Sequence, residues 1–245
     1  MTKKQNVVPF GTLRRADSCP RNITRRVREP VSPSKGRVVG YYASWKNKRP
    51  IAWESQLELK ACMLFEFSPA ITSYQEQPAT LHFPARGKMC RYTPDFELTT
   101  KQGDIYFVEV KPADRVLNPA IKSLLIAASD FLQERGFGYF VLTEQELNYP
   151  DLLRNLTMLK PYLKVKLCGR EVSALTAWVA KQGSVDLAEL AQAFGSTQKA
   201  FAYVAQGHAA AALNNPLSLS TKITLNLENH HETCLFNGRF APDFE

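Results

Sequence analysis

Apolar residues follow two different periods along the first 150 positions, and together these periods predict an α/β fold. In the segment 51–67 they recur at helical spacing, at Trp53, Leu57, Ala61, Leu64 and Phe67. Three strand-like runs follow, at 79–83, 90–98 and 104–111, with glycines near the turns. A second helix is predicted over 120–134 and a buried strand over 138–143. A helix, a strand meander, a crossover helix and a further strand predict a core with a mixed sheet.

The pattern changes after about residue 150. Residues 151–162, 171–182, 187–194 and 197–213 have helical periodicity, with Asp186 and Ser196 as caps, and a strand-like pair follows Pro216. Helices followed by a β-pair predict a winged-helix-like domain. The sequence therefore predicts an extended arm at 1–35, an α/β domain at 36–149 and a winged-helix-like domain at 150–245.

The positive charge of the chain is concentrated at its N-terminal end. The net charge is +8, but residues 1–50 hold thirteen Lys or Arg against Asp17 and Glu29, so this segment carries +11 and the remainder −3. A concentrated basic segment is attracted to nucleic-acid phosphates, although a solubilising tail has the same composition. The residues predicted to contact DNA are Arg21, Arg25, Arg26, Arg28, Lys35, Arg37, Lys46, Lys48 and Arg49.

Other compositional features argue for a cytoplasmic protein. No run approaches the roughly 20 apolar residues that cross a bilayer, and the opening MTKKQNVVPFG lacks the apolar region of a secretion signal. The five cysteines are scattered without a CxxC pair, which is typical of reduced thiols. We therefore expect a cytoplasmic protein, associated with the nucleoid when it acts, and no membrane partner.

Carboxylates and one lysine occur in an order that suggests phosphodiester chemistry. Asp95 follows a proline on a predicted strand, and Glu109 and Lys111 lie on the same side of the next strand because strand side chains alternate. Glu54 and Glu58 are four residues apart on the predicted helix and share a face. Carboxylate oxygens bind Mg²⁺, which lowers the pKa of an attacking water, and a nearby lysine stabilises the developing charge.

Short motifs of this kind also arise by chance, so each match has to be judged by its context. A single Pro-Asp or Glu-x-Lys arises readily on a surface strand, and the chain ends with FAPDFE, which repeats much of YTPDFE at 92–97 without a following Glu-x-Lys strand. The ordered spacing after a Glu-bearing helix favours a nuclease for the first copy. Three further groups are weaker candidates. Zinc could be bound by His230, His231 and Cys234, but a fourth ligand is lacking. Nucleotide stacking or core packing is open for Tyr41, Tyr42 and Trp45, and DNA contact or strand capping for Gln75 and Gln77.

Three segments carry a resemblance to a known family. LELKACMLFEFSPAITSYQEQP, YTPDFEL and FVEVKPA resemble the TnsA family, the endonuclease subunit of heteromeric cut-and-paste transposases, over about residues 36–145. The preceding GYYASWKNKRPIAWES is similar to the corresponding segment in TnsA proteins of CRISPR-associated transposons. The resemblance implies a restriction-endonuclease-like core with a PD-(D/E)xK site.

The resemblance also implies the roles of individual residues. Glu58, Asp95, Glu109 and Lys111 would be catalytic, and the three carboxylates would bind Mg²⁺, for which Mn²⁺ can substitute. Glu54 remains an alternative to Glu58 as the carboxylate that the helix contributes to the site. Some relatives carry glutamine at the position of Glu109, and the carboxylate here should tighten metal binding.

The function implied is cleavage of the non-transferred strand at the 5′ ends of a transposon. The implied partners are transposon-end DNA, a TnsB-type DDE transposase and a TnsC-type AAA+ ATPase. Residues 150–245 hold nine basic and eight acidic residues, and the would-be recognition helix carries only Lys199, so we expect this domain to contact protein rather than DNA. The alternatives are a free-standing nuclease (a restriction enzyme or a junction resolvase), which would cut DNA alone, and a DNA-binding adaptor without catalysis.

Overall fold

The computed structural model describes residues 38–85 and 87–225, which form two compact units. The described residues of the first unit are 38–62, 70–85 and 87–147, and those of the second are 63–69 and 148–225. The predicted arm at 1–35 lies outside the described residues. No helix in the described ranges is long and apolar enough to span a bilayer.

Secondary structure in the first part of the chain alternates between hairpins, helices and sheet strands. The elements are β1 (Gly40–Ser44), β2 (Arg49–Trp53), α1 (Gln56–Phe67), β3 (Ile71–Glu76), β4 (Leu81–Ala85), β5 (Lys88–Tyr92), β6 (Phe96–Thr100), β7 (Ile105–Val110), α2 (Ala113–Val116), α3 (Pro119–Gln133), β8 (Gly138–Leu142) and α4 (Glu144–Leu147).

The central sheet of the first unit is mixed, as predicted. Its strand order is β3-β6-β7-β8; β3 pairs with β6 and β6 with β7 in antiparallel fashion, and β7 pairs with β8 in parallel fashion. A parallel pair needs a crossover connection, which α3 provides. In the register of β6 and β7, Phe96 pairs with Val108. The residue just before β6 therefore lies beside the carboxyl end of β7.

Helix α3 begins and ends where its sequence provides the signals. The Asn118 side chain accepts a hydrogen bond from the N–H of Ala120 at 2.9 Å, and Pro119 occupies the first turn, where no N–H is needed. Gly136, with φ 79°, follows the last turn. The buried face of α3 packs in one apolar cluster with the hairpin β4–β5 and with β7 and β8, formed by Phe83, Tyr92, Phe107, Val116, Leu125, Ala128, Leu132, Phe137, Tyr139 and Val141.

Two predicted elements of the first unit were wrong in their extent. The run 90–98 is two strands, because β5 ends at Tyr92 and β6 begins at Phe96, with Pro94 between them. Proline has no N–H for a ladder, so it ends pairing on one sheet and allows the chain to enter another. The helix predicted from residue 51 begins at Gln56, since 49–53 form β2. Glu54 consequently precedes the helix and does not share a helical face with Glu58. Strand β3 was not predicted.

The later elements alternate short helices with very short strands. They are α5 (Pro150–Leu159), a 3-10 helix (Lys160–Lys164), α6 (Gly169–Gln182), β9 (Ser184–Asp186), α7 (Leu187–Phe194), α8 (Thr197–Ala205), β10 (Ala210–Ala211) and β11 (Lys222–Thr224).

The caps predicted in the second unit are present, but one helix is shorter than predicted. The Asp186 N–H donates to Glu189 Oε2 at 2.7 Å, and Ser196 Oγ accepts from the N–H of Lys199. The helix predicted over 197–213 ends at Ala205, because Gly207, with φ 77°, turns the chain into β10. The sheet order is β10-β11-β9, and within the described residues the strand pair predicted after Pro216 contributes β11 alone. The winged-helix assignment stays a prediction.

Candidate active site

Asp95 and Glu109 lie side by side where β6 begins and β7 ends, on the two inner strands of the central sheet. Asp95 occupies the bend directly before β6 rather than the strand itself. Its Oδ2 accepts a hydrogen bond from the Val110 N–H at 2.8 Å, and its carbonyl accepts from the Gln77 N–H at 2.8 Å. Hydrogen bonds from both neighbouring strands therefore fix Asp95 beside the end of β7.

The electrostatic environment of Asp95 disfavours its charged form. Burial is the largest cause that raises its pKa well above the ordinary value, and the charges of Glu109 and Glu58 raise it further, against the Val110 N–H and Lys111. Its Oδ1 accepts no hydrogen bond from the described residues. A bound cation would offset the repulsion between these carboxylates.

Glu109 is almost fully enclosed, with 3% of its surface exposed. Its Oε2 accepts a hydrogen bond from the Tyr92 hydroxyl at 2.6 Å, and its Oε1 forms an ion pair with Lys111 Nζ. The side chains of Glu109 and Lys111 thus lie on one side of β7, as the alternation of strand side chains requires. Val110 between them is buried.

Lys111 carries its positive charge in this environment. Burial by itself lowers the pKa of the ammonium, but the neighbouring carboxylates of Glu109, Asp95 and Glu58 outweigh it and raise the pKa above its ordinary value. The side chain is partly exposed, at 28%. A permanently protonated lysine is a hydrogen-bond donor and not a proton acceptor at neutral pH.

Two buried tyrosines extend the network around Glu109, and sequence reasoning missed both. The hydroxyls of Tyr92 on β5 and Tyr139 on β8 lie 2.7 Å apart. Burial, followed by the charge of Glu109, raises the pKa of each well above the ordinary value, so both stay protonated. The sequence held no signal for Tyr139, because its position opposite Phe107, which shares a strand face with Glu109, follows from the register of β7 and β8.

Glu58 caps the helix on which it lies. Ser55 Oγ accepts from the Glu58 N–H at 3.1 Å and donates to Glu58 Oε1 at 2.9 Å, while the Glu54 N–H donates to Glu58 Oε2 at 2.7 Å. The Ser-x-x-Glu spacing at 55–58 is the signature of a capping box, and the sequence would have revealed it. Burial, before the charges of Glu54 and Glu109, raises the pKa of Glu58.

Glu54 connects to the site through Gln77. Glu54 Oε1 accepts from Gln77 Nε2 at 2.9 Å, and the backbone of Gln77, held at φ 43°, donates to the carbonyl of Asp95. The other glutamine of this segment, Gln75, pairs with Glu97 in the β3–β6 ladder. Glu58 is among the charges that raise the pKa of Asp95, and Glu54 is not among the main ones.

The carboxylates of Asp95 and Glu109 are suitable ligands for a hard cation such as Mg²⁺. Within 38–85 and 87–225, no group of three or more His, Cys, Asp or Glu side chains is arranged to hold a metal ion. Mg²⁺ commonly binds one or two carboxylates together with waters and substrate phosphate, which Asp95 and Glu109 match. Glu58 as a third ligand stays a prediction. The zinc candidates lie outside the described residues: His230, His231 and Cys234.

Three of the predicted DNA contacts lie at the β1–β2 hairpin. Lys46 Nζ donates to the carbonyl of Ile71 at 2.7 Å. Arg49 donates to both carboxylate oxygens of the buried Glu76, at 2.9 and 2.7 Å. Lys48 is exposed in the turn. The remaining predicted contacts lie outside the described residues: Arg21, Arg25, Arg26, Arg28, Lys35 and Arg37.

The aromatic residues of the same hairpin divide into two groups. Tyr42 is buried, whereas Tyr41 and Trp45 are exposed over 53% and 52% of their surfaces. Packing in the core therefore accounts for Tyr42 and not for Trp45. Stacking of Tyr41 and Trp45 on nucleotides stays a prediction.

Comparison with known families identifies the segment that contains the site. Residues 68–144 match the family model described as TnsA-like endonuclease N terminal. The match spans β3 to β8 and includes Asp95, Glu109 and Lys111, while Glu58 precedes it. No curated protein matches the chain.

Proposed function

The match of residues 68–144 to the TnsA-like endonuclease domain supports a TnsA-family assignment, and from this premise we propose that the protein is the Mg²⁺-dependent subunit that cleaves the non-transferred strand at the 5′ ends of a transposon. The observation that supports the proposal most directly is the convergence of Asp95 and Glu109, with Lys111 bound to Glu109. A carboxylate pair with an adjacent protonated lysine has the groups that phosphodiester hydrolysis requires.

In this proposal each residue of the site has a distinct task. Asp95 and Glu109 would hold Mg²⁺, which when bound lowers the pKa of an attacking water and neutralises charge on the phosphate. Lys111 is protonated, so it would stabilise negative charge on the phosphate oxygens rather than accept a proton. Glu58 maintains the N-terminal turn of α1 near the carboxylates, as its capping contacts indicate.

The second unit is proposed to bind partner proteins. In α8 the single basic residue, Lys199, is occupied by Glu171, with Nζ at 2.7 and 2.9 Å from the two carboxylate oxygens. A helix that reads DNA presents several cations to the groove, and α8 presents none that is unpaired. The partners proposed are a TnsB-type DDE transposase and a TnsC-type AAA+ ATPase, as in a CRISPR-associated transposon.

The test is strand-specific cleavage by the full-length protein with its transposase, transposon-end DNA and Mg²⁺. Asp95→Ala and Glu109→Ala should abolish 5′-end cleavage and leave 3′-end cleavage by the transposase intact. Asp130→Ala, which removes an exposed carboxylate from α3, is the matched control and should cleave normally. Normal 5′ cleavage by Asp95→Ala would refute the assignment. Cleavage of DNA by the wild-type protein alone would favour a free-standing nuclease.

A further inference from the structure

The carboxylate of Glu109 lies at the end of a chain of buried hydroxyl groups. The Tyr92 hydroxyl is 2.6 Å from Glu109 Oε2, and the Tyr139 hydroxyl is 2.7 Å from that of Tyr92. The two tyrosines are 7% and 4% exposed and come from different elements, β5 and β8. Strands remote in sequence therefore bring to Glu109 two hydroxyls that the apolar cluster beside α3 would otherwise leave without partners.

The direction of the hydrogen bonds follows from the number of protons. An ionised carboxylate only accepts, so Tyr92 must donate its single proton to Glu109. The oxygen of Tyr92 is then available as an acceptor, and the proton between the two phenols must come from Tyr139. Lys111 donates to the other carboxylate oxygen. Both oxygens of Glu109 are thus held by donors, which fixes the plane of the carboxylate.

We infer that Tyr92, supported by Tyr139, is a positioning residue that orients Glu109 for metal binding. The inference rests on the proposed function, since it requires Glu109 to be a metal ligand. Groups that hydrogen-bond a metal ligand set its orientation, and their loss typically costs about 10- to 100-fold in metal affinity. The ring of Tyr92 has a separate packing function, in edge contacts with Phe83 and Tyr139 at centroid distances of 6.2 and 6.4 Å.

Tyr92→Phe separates these two functions, because it keeps the ring and removes only the hydroxyl. In cleavage assays with the transposase and transposon-end DNA, the Mg²⁺ concentration for half-maximal 5′ cleavage should rise about 10- to 100-fold. The rate at saturating Mg²⁺ should stay within a few-fold of wild type. Tyr139→Phe should shift the Mg²⁺ dependence in the same direction by a smaller factor, since Tyr92 can still donate.

A matched control removes a comparable hydroxyl elsewhere. Tyr203 in the second unit is a fully buried residue, and its hydroxyl is 2.7 Å from Thr176 Oγ1, so Tyr203→Phe also deletes one hydrogen bond, which is partly buried. It should leave the metal dependence unchanged. A second readout that does not depend on cleavage is the binding of Mn²⁺ to the full-length protein without DNA, measured by electron paramagnetic resonance. Affinity should fall for Tyr92→Phe and not for Tyr203→Phe.

The outcomes distinguish this inference from the proposed function. If Asp95→Ala is inactive and Tyr92→Phe has the wild-type Mg²⁺ dependence and Mn²⁺ affinity, the positioning role is refuted and the proposed function stands. A reduced maximal rate with unchanged metal affinity would also refute the inference. If Tyr92→Phe does not fold at the assay temperature, Tyr139→Phe decides by the same two readouts. Normal cleavage by Asp95→Ala would refute both proposals.

Discussion

Replacing Arg49 with methionine should destabilise the first unit, because it leaves the carboxylate of Glu76 buried without its partner. Glu76 is 2% exposed and receives two hydrogen bonds from Arg49, and the Ala52 N–H adds a third at 3.3 Å. Removal of one partner from a buried ion pair costs about 3–5 kcal/mol. Since the Arg49 side chain is 39% exposed, we expect the lower end, about 3 kcal/mol.

Urea unfolding is a suitable assay for this change. With a denaturant slope of about 1–3 kcal/mol per molar urea, the midpoint should fall by at least about 1 M. Lys48→Met removes an exposed cation from the same hairpin and should change stability by less than about 0.5 kcal/mol. Glu76→Gln in the Arg49→Met background should recover part of the loss, because it removes the buried charge and keeps an acceptor for Ala52.

The pH dependence has a definite sign. Burial raises the pKa of Glu76, but the contacts with Arg49 outweigh burial and hold the pKa below its ordinary value. This pair therefore stabilises the wild type above the unfolded-state pKa, and the stabilisation is lost as the pH falls through the folded-state pKa. Without Arg49, burial should raise the pKa of Glu76. The stability difference between wild type and Arg49→Met should thus be largest at neutral pH and shrink in acid.

The same two variants decide whether Arg49 contacts DNA. Each phosphate contact contributes about 0.9 to the slope of log affinity against log salt. Lys48→Met should reduce this slope, and Arg49→Met should leave it unchanged. Equal unfolding midpoints for Arg49→Met and Lys48→Met, together with a reduced salt slope for Arg49→Met, would refute the structural assignment.

The remaining predictions concern the carboxylates and the N-terminal arm. Asp95→Asn should abolish cleavage but leave the urea midpoint of the metal-free protein nearly unchanged, because burial and the charge of Glu109 already disfavour the charged form of Asp95; a loss of stability of more than about 0.5 kcal/mol would contradict this. Glu58→Gln should reduce cleavage more than Glu54→Gln, and equal losses in the same cleavage assay would show that the wrong carboxylate was chosen. Deletion of 1–35 should weaken DNA binding and its salt dependence, and coincident salt slopes would exclude phosphate contacts by this arm.

Local pattern was sufficient to predict the central elements of the site. The two-residue period of β7 places Glu109 and Lys111 on one side, and their ion pair is present in the structure. The resemblance to the TnsA family, which extends over about residues 36–145, is confirmed by the match over 68–144. The helix predicted over 120–134 agrees closely with α3, whose ends depend on contacts within one turn of the chain, at Asn118, Pro119 and Gly136.

Other features were decided only when remote segments paired. Arg49 looked like a phosphate contact until the fold placed it on Glu76, 27 positions later. Tyr92 and Tyr139 looked like ordinary apolar-face residues, yet the pairing of β7 with β8 and the packing of the β4–β5 hairpin bring their hydroxyls to Glu109.

The physical reason is that periodicity records which side of an element faces the core, and it does not record which element lies opposite. The capping contacts of Glu58 span four residues or fewer and could be derived from the Ser55 spacing. The partners of a buried carboxylate depend on strand order and register, which the packing of the whole unit determines. Sequence alone therefore predicted the carboxylates and the lysine, and only the tertiary structure specified the donors that orient them.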